Sequence, residues 1–174
     1  LDGARLWNAA TASGLALAGL AAPFDLVAVA LSKGLGAPGG SLLAGTRETI
    51  DRAVRFRRMF GGAMRQTGIY AAAGLHAIEH HRARLADDHA NARRIAHVLA
   101  TNPSVDLDLA TVQTNIVVFR LRDGAPDAAT VAERARERGV LLLAFAARTL
   151  RVVTHLDASA AQCERAAQIL AELI

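Results

Sequence analysis

The stretch LVAVALSKGLGAP, residues 26–38, joins a strand-length apolar run to a lysine and a glycine-rich loop. The run from Leu26 to Leu31 is continuous rather than alternating, which is typical of a central parallel strand covered on both faces. The glycines and proline that follow it require a loop. Lys33 is therefore expected at the carboxyl end of a buried strand, where open α/β sheets bind ligands, with its amine partly desolvated.

Lys33 is the single lysine among the 20 Lys and Arg residues of the chain. Arginine keeps its proton in proteins, so lysine alone supplies an amine nucleophile here. An amine forms a Schiff base with a carbonyl, and pyridoxal phosphate is a common reason for a lysine at such a position. The residue alone leaves two interpretations open: a cofactor-binding lysine, or an exposed loop lysine in an arginine-biased chain.

The pattern around this stretch predicts an α/β arrangement up to about residue 100. Residues 41–45 are predicted as a second short strand, and residues 47–58 as a helix that Gly61-Gly62 ends. Residues 66–100 are rich in Ala, Leu and Arg and are predicted as largely helical, with a bend near Asp87-Asp88.

Beyond residue 100 the sequence predicts a small α+β unit. Strands are predicted at 115–121, 140–143 and 150–154, and a helix opens at Pro126-Asp127 and ends at Gly139. Ser159 and Gln162 have capping-box spacing at the start of a last helix, which places Cys163, Ala166, Ala167, Leu170 and Ile174 on one face.

Composition narrows the class of protein. The net charge is +4, but acidic residues interleave with the basic ones, which is typical of solvated helix faces, so we expect no nucleic-acid partner. No apolar stretch approaches the roughly 20 residues of a membrane span, so we expect no membrane association. One cysteine, Cys163, allows no internal disulfide and no cysteine cluster, and fits a cytoplasmic location. His76, His80 and His81 are interpreted as solvated helix histidines, and no metal site is expected.

Three further charged residues are candidates for a binding site. Asp2 could hold a protonated ring nitrogen, and Arg5 could bind a carboxylate or phosphate bidentately; the alternative is that Asp2 caps a helix with Arg5 on its surface. Arg151 interrupts an apolar strand, and a buried guanidinium needs an anionic partner. That partner is either a ligand or an internal carboxylate such as Asp157.

Five segments occur in an order that resembles a known family. They are DGAR at 2–5, LSKGLGAP at 31–38, GGAMRQTG at 61–68, DHANA at 88–92 and LRVVTHLD at 150–157. Together they resemble the low-specificity L-threonine aldolases, which are fold-type I pyridoxal-phosphate enzymes of the β-eliminating-lyase group. The resemblance implies that residues 1–100 are the C-terminal part of the cofactor-binding large domain and that residues 101–174 are the small α+β domain.

The resemblance also implies residue roles. Lys33 would bind pyridoxal 5'-phosphate, Asp2 would pair with its pyridine nitrogen, and Arg5 would bind cofactor or substrate. Arg5 and Arg151 would bind the substrate carboxylate. Arg58 and Arg65 would reach the active site of a neighbouring subunit in a homo-oligomer, either a dimer or a tetramer.

The reaction implied is cleavage of L-threonine or L-allo-threonine to glycine and acetaldehyde. A related lyase acting on another β-hydroxy or β-substituted amino acid is an alternative, and so is a non-catalytic chain that retains the fold and assembles with partners. In the family, the phosphate-binding loop and the ring-stacking histidine belong to the N-terminal half, so we expect these 174 residues alone to be inactive. The chain departs from the family at Arg58, where a lysine is frequent, and at Ala63, where a third glycine is common.

Overall fold

The computed structural model describes residues 1–174, which divide into two compact units, Leu1–Leu85 and Ala86–Ile174. The helices are α1 Leu6–Ser13, α2 Leu17–Ala21, α3 Arg47–Met59, α4 Gly68–His80, α5 Leu85–Ala100, α6 Ala128–Glu137 and α7 Ala160–Leu173. The strands are β1 Asp2–Gly3, β2 Leu26–Ala30, β3 Ser41–Gly45, β4 Val105–Asp106, β5 Ile116–Leu121, β6 Leu143–Ala146 and β7 Thr149–Val153. No helix combines the length and apolarity needed to cross a membrane.

The first unit contains a three-stranded sheet with β2 at its centre. β1 pairs with β2 in parallel and β3 pairs with β2 antiparallel. The central position of β2 is confirmed, but its expected burial on both faces is wrong: Val27 is buried and the other four residues are half-buried. The sheet is incompletely covered within this chain, since β3 is exposed along its whole length.

The helical stretch after the sheet is interrupted earlier than predicted. α4 ends at His80 and α5 begins at Leu85, so the break at residues 81–84 lies three residues or more before the predicted bend at Asp87-Asp88. Both aspartates instead occupy the first turn of α5. Acidic side chains are stabilising there because the helix dipole is positive at its N-terminus.

The second unit is a four-stranded antiparallel sheet, in the order β4-β5-β7-β6, with α5, α6 and α7 contributing to one core. The predicted α+β class, the helix between Pro126 and Gly139 and the capping box of Ser159 with Gln162 are confirmed. β6 begins three residues later than predicted. Gly139 adopts a positive φ of 81° and the Val140 N–H donates to the Ala135 carbonyl, so the chain is still leaving α6 where the strand was expected.

The compact units do not divide at residue 100. α5 contributes Ala92, Ile95, Ala96 and Leu99 to the core of the second unit, which places this helix with the antiparallel sheet. The buried apolar face of α5 assigns this helix to the second unit, because burying apolar surface stabilises the unit that contains it. The assignment of residues 1–100 to a cofactor-binding large domain stays a prediction.

Candidate active site at the carboxyl edge of strands β1 and β2

Residues 31–40, called the lysine loop below, fold back on the end of β2. The Leu31 N–H donates to the Gly40 carbonyl at 3.1 Å, and the Ala37 N–H donates to the Leu31 carbonyl at 3.0 Å. Within the loop the Gly36 N–H donates to the Lys33 carbonyl at 2.9 Å, which makes Lys33 the first residue of a tight turn. The backbone on either side of the lysine is therefore hydrogen-bonded.

The Lys33 side chain is exposed, so its expected partial desolvation is wrong for these 174 residues. Gly34 and Leu35 occupy the buried positions of the turn, which leaves Ser32 and Lys33 towards solvent. A Cβ on Gly34 would lie 2.7 Å from Asn8 Oδ1 and 3.0 Å from Leu85 Cδ2. The turn thus approaches its neighbours closely enough to require glycine directly after the lysine.

Asp2 lies on β1, which runs parallel to the strand that leads to Lys33. It pairs with Ala28, the middle residue of β2, and both strands run towards the edge of the sheet where the chain reaches Lys33. Its Oδ1 accepts a hydrogen bond from the Ala4 N–H at 3.1 Å, and the side chain is exposed. The alternative that Asp2 caps a helix is wrong, because α1 begins at Leu6 and Arg5 occupies the N-cap position without a side-chain cap. Arg5 is half-buried.

Arg151 lies in the second unit, on the sheet face opposite the core. It is in register with Val118 on β5 and Leu143 on β6, and both of these apolar side chains are exposed. Its guanidinium carbon lies 5.6 Å from the centre of the Phe145 ring, a cation–π distance. Its Nε is buried and has no hydrogen-bond partner. An unpaired buried donor of this kind is costly and favours the ligand interpretation of Arg151.

The internal alternative for Arg151, an ion pair with Asp157, is not formed. The Asp157 carboxylate lies 3.5 Å from His155 Nδ1 instead. The same Nδ1 is also 3.2 Å from the Asp157 N–H, which would make it an acceptor.

Comparison with known proteins identifies the family. Residues 1–122, more than half of the chain, match the family described as beta-eliminating lyase. The chain belongs to the beta-eliminating lyase family. It is 44% identical over 162 residues to the low specificity L-threonine aldolase of Escherichia coli O157:H7, covering 93% of this chain and 46% of that protein. It is 36% identical over 156 residues to low-specificity L-threonine aldolase 1 of Arabidopsis thaliana, covering 89% of this chain and 44% of that protein.

The chain is thus a homologue of low-specificity L-threonine aldolases and spans about half the length of these relatives. The fold agrees. A candidate L-allo-threonine aldolase from Listeria monocytogenes EGD-E superposes with a TM-score of 0.80 at 20% identity, covering 100% of this chain and 51% of that one. The predicted fold, the C-terminal half of a fold-type I enzyme, is therefore confirmed. The beta-eliminating lyase family uses pyridoxal phosphate.

Two of the segments that resemble the family meet inside the second unit. The Thr154 hydroxyl donates to the Asp88 carbonyl at 2.7 Å, and the Asn115 side-chain amide donates to the Thr154 carbonyl at 2.8 Å. All three residues are buried. Burial lowers the pKa of the adjacent His89, and the charge of Arg93 lowers it further. These residues join the start of α5 to the end of β7, a structural role that the sequence did not reveal.

Arg58 and Arg65, proposed from the resemblance to reach a neighbouring subunit, are both exposed and flank the double glycine. Gly61 adopts a positive φ of 73°, whereas Ala63 is not among the positive-φ residues. Alanine therefore meets no backbone restriction at the position where the family commonly has a third glycine.

One histidine at the end of α4 was misinterpreted from the sequence. His76 and His80 are exposed, as predicted, but His81 is half-buried, with its Nδ1 2.7 Å from the Leu35 carbonyl oxygen. The contact links residues 46 positions apart, so no local sequence pattern signals it.

Proposed function

We propose that the complete protein containing this chain cleaves L-threonine and L-allo-threonine to glycine and acetaldehyde, with pyridoxal 5'-phosphate bound to Lys33. Homology to low-specificity L-threonine aldolases supports the reaction class. The observation that carries the residue assignment is the position of the single lysine of these 174 residues, just beyond the carboxyl end of β2, whose parallel neighbour β1 carries the exposed carboxylate of Asp2.

The residues at this edge fit the cofactor chemically. Lys33 offers an accessible amine on a backbone held by hydrogen bonds on both sides. Asp2 has Oδ1 engaged with the Ala4 N–H, which orients the carboxylate and leaves Oδ2 to face a protonated pyridine nitrogen. When bound, pyridoxal phosphate supplies an electron-accepting ring that stabilises negative charge at the α-carbon of an amino acid. Asp2 would keep that ring nitrogen protonated, and Arg5 would bind an anionic group of cofactor or substrate.

Arg151 is proposed to bind the substrate carboxylate. Its buried Nε lacks a partner, and a carboxylate satisfies a guanidinium through paired, charge-assisted hydrogen bonds. The Phe145 ring limits where the guanidinium lies, which gives the bound carboxylate a defined direction. Binding the carboxylate leaves the side chain of the amino acid free to react.

A related lyase that acts on another β-hydroxy or β-substituted amino acid is the second candidate. Lys33, Asp2 and Arg151 are assigned to the cofactor and to the α-carboxylate, which all such substrates share, so these residues do not select the substrate side chain.

We also infer a cytoplasmic homo-oligomer in which Arg58 and Arg65 reach the active site of a neighbouring subunit. Their exposure beside a glycine turn supports this role. Replacing both arginines by alanine should lower aldolase activity while the cofactor stays bound, and light scattering should report a dimer or tetramer. A fully active monomer would contradict the inference.

The reaction is tested by incubating the complete protein, loaded with pyridoxal phosphate, with L-threonine, L-allo-threonine, L-serine and a β-substituted alanine. Glycine and acetaldehyde from the first two substrates are expected. Pyruvate from the last would favour the related lyase, and no turnover of any substrate would favour a non-catalytic protein. Lys33→Ala is the control and should remove the activity.

A further inference from the structure

We propose that Trp7, His81 and Arg82 form a clamp that positions Lys33 for the reaction. These three residues are called the lysine clamp below. The proposal rests on the proposed function, because it gives the clamp a purpose only if Lys33 binds the cofactor. No residue of the clamp lies in the segments that carry the family resemblance.

The clamp holds the backbone on both sides of the lysine. On the strand side, the Trp7 indole Nε1–H donates to the Ala30 carbonyl at 3.2 Å. On the loop side, His81 Nδ1 lies 2.7 Å from the Leu35 carbonyl, and the carbonyl requires that this nitrogen be the donor. Lys33 is thus bracketed by two side-chain hydrogen bonds, one three residues before it and one two residues after it.

The His81 bond fixes the turn that begins at Lys33. Leu35 is the third residue of that turn and is fully buried, so water does not replace a lost partner for its carbonyl. The direction of the Leu35 carbonyl sets the plane of the peptide between Leu35 and Gly36, and the Gly36 N–H of the same peptide binds the Lys33 carbonyl. His81 therefore acts on Lys33 through one peptide plane.

Arg82 completes the clamp from the residue next to His81. Its guanidinium carbon lies 5.9 Å from the centre of the Trp7 ring, over the indole that binds Ala30. The short connection between α4 and α5 thus supports both hydrogen bonds, one directly and one through Trp7. Such support matters here because the hydrophobic cluster that packs under the lysine loop is small. A catalytic group that is displaced by about 1 Å loses up to 10²-fold in rate.

The test uses the complete protein with His81→Ala, His81→Asn and, as matched control, His80→Ala on the exposed side of the same helix end. An asparagine amide donates from nearly the position of Nδ1, so His81→Asn should restore what His81→Ala loses. Loss of one such hydrogen bond should speed amide exchange at Gly36 by about 10-fold. In the same variant kcat should fall by about 10-fold or more, with a smaller change in KM. Trp7→Phe, which keeps the ring and loses the donor, should act in the same direction more weakly.

Amide exchange tests the lysine clamp, and borohydride labelling tests cofactor binding by Lys33, so the failure of one proposal can be distinguished from the failure of the other. Borohydride reduction of the unsubstituted holoenzyme tests whether Lys33 binds the cofactor, independently of the clamp. Faster exchange confined to residues 31–40 in His81→Ala, with rescue of exchange and kcat by asparagine, supports the clamp. Unchanged exchange in His81→Ala overturns it. Faster exchange throughout residues 1–85 without rescue by asparagine also overturns it, because His81 would then be only structural.

Discussion

The two compact units differ in how they hold the residues assigned to function. The second unit buries a continuous core that includes Val117, Phe119, Leu121, Leu150 and Leu170, and Arg151 lies on the sheet above it. The first unit has a small buried cluster, Leu31, Leu35, Ala37, Ala77 and Leu85. It exposes large apolar side chains over β3, α3, α4 and the connection between these two helices, including Leu42, Phe56, Met59, Phe60, Met64, Ile69 and Leu75.

The difference shows two ways of positioning a side chain. In the second unit, packing behind the sheet fixes β7 and hence Arg151. In the first unit, specific contacts fix the lysine loop: the close approach of Gly34 to Asn8 and the bond from His81 to Leu35. A side chain held by many packing contacts keeps most of them when one neighbour is substituted, whereas a loop held by a single hydrogen bond loses that support with one substitution. We therefore expect the two units to respond differently to substitution.

The largest expected difference concerns folding in isolation. Residues 86–174 should fold alone with a cooperative transition, because their sheet and helices cover one another. Residues 1–85 should self-associate or remain partly unfolded, because exposed apolar surface of this extent promotes association. Circular dichroism with thermal melting and light scattering of each piece measures this. A cooperative, monomeric 1–85 piece would remove the contrast between the units.

A large effect on activity is expected at Arg151. Arg151→Ala in the complete protein should lower kcat/KM for threonine by about 10²-fold or more, since a desolvated charge-assisted pair contributes about 3 kcal/mol. The visible absorbance of the bound cofactor should persist. Arg120→Ala is the matched control, an exposed arginine on the same face of the sheet. Normal cleavage by Arg151→Ala would make this residue structural.

Truncating one leucine to alanine in each sheet should show how differently the two units are packed. Leu150→Ala removes a fully buried side chain from β7 and should lower the free energy of unfolding by about 3 kcal/mol. Leu42→Ala, on the exposed strand β3, should cost less than about 1 kcal/mol in the 174-residue chain. Denaturant melts followed by amide exchange in each unit provide the values. Equal losses would show that the first unit is packed as firmly as the second.

The smallest effect is a pH dependence in the second unit. The Thr130 backbone N–H donates to the Asp127 carboxylate at the start of α6 and lowers the pKa of this carboxyl below its ordinary value. A lowered folded pKa adds stability above the ordinary value and loses it as the pH falls through the folded value. Asp127→Asn, which still caps the helix, should show a weaker loss of stability in acid than the unsubstituted protein. Identical acid profiles would contradict this assignment.

Local patterns predicted much of the fold and part of the candidate site. The capping box at Ser159, the helix between Pro126 and Gly139 and the loop after β2 follow from short-range rules, so they were found. The two-residue strand β1 was missed because its pairing partner lies 26 residues away and two residues carry no periodicity. The His81 contact was missed because its partner, Leu35, lies 46 residues away in the sequence.

Burial was the property that sequence patterns predicted least well. The apolar run in β2 suggested coverage on both faces, and the position of Lys33 suggested desolvation, yet β2 is half-buried and Lys33 is exposed. An apolar run reports that a strand is suited to burial, whereas the elements that surround it determine whether it is buried. Arg151 is the converse case: an arginine within an apolar strand indicated a buried guanidinium, and the Nε of Arg151 is buried.

The central claim is that Lys33 binds the cofactor. Borohydride reduction of the complete holoenzyme, followed by proteolysis and mass spectrometry, locates the pyridoxyl group directly. We predict the label on the peptide that contains Ser32-Lys33-Gly34, with none in a Lys33→Ala control. A label on any other lysine, including one outside these 174 residues, would contradict the assignment.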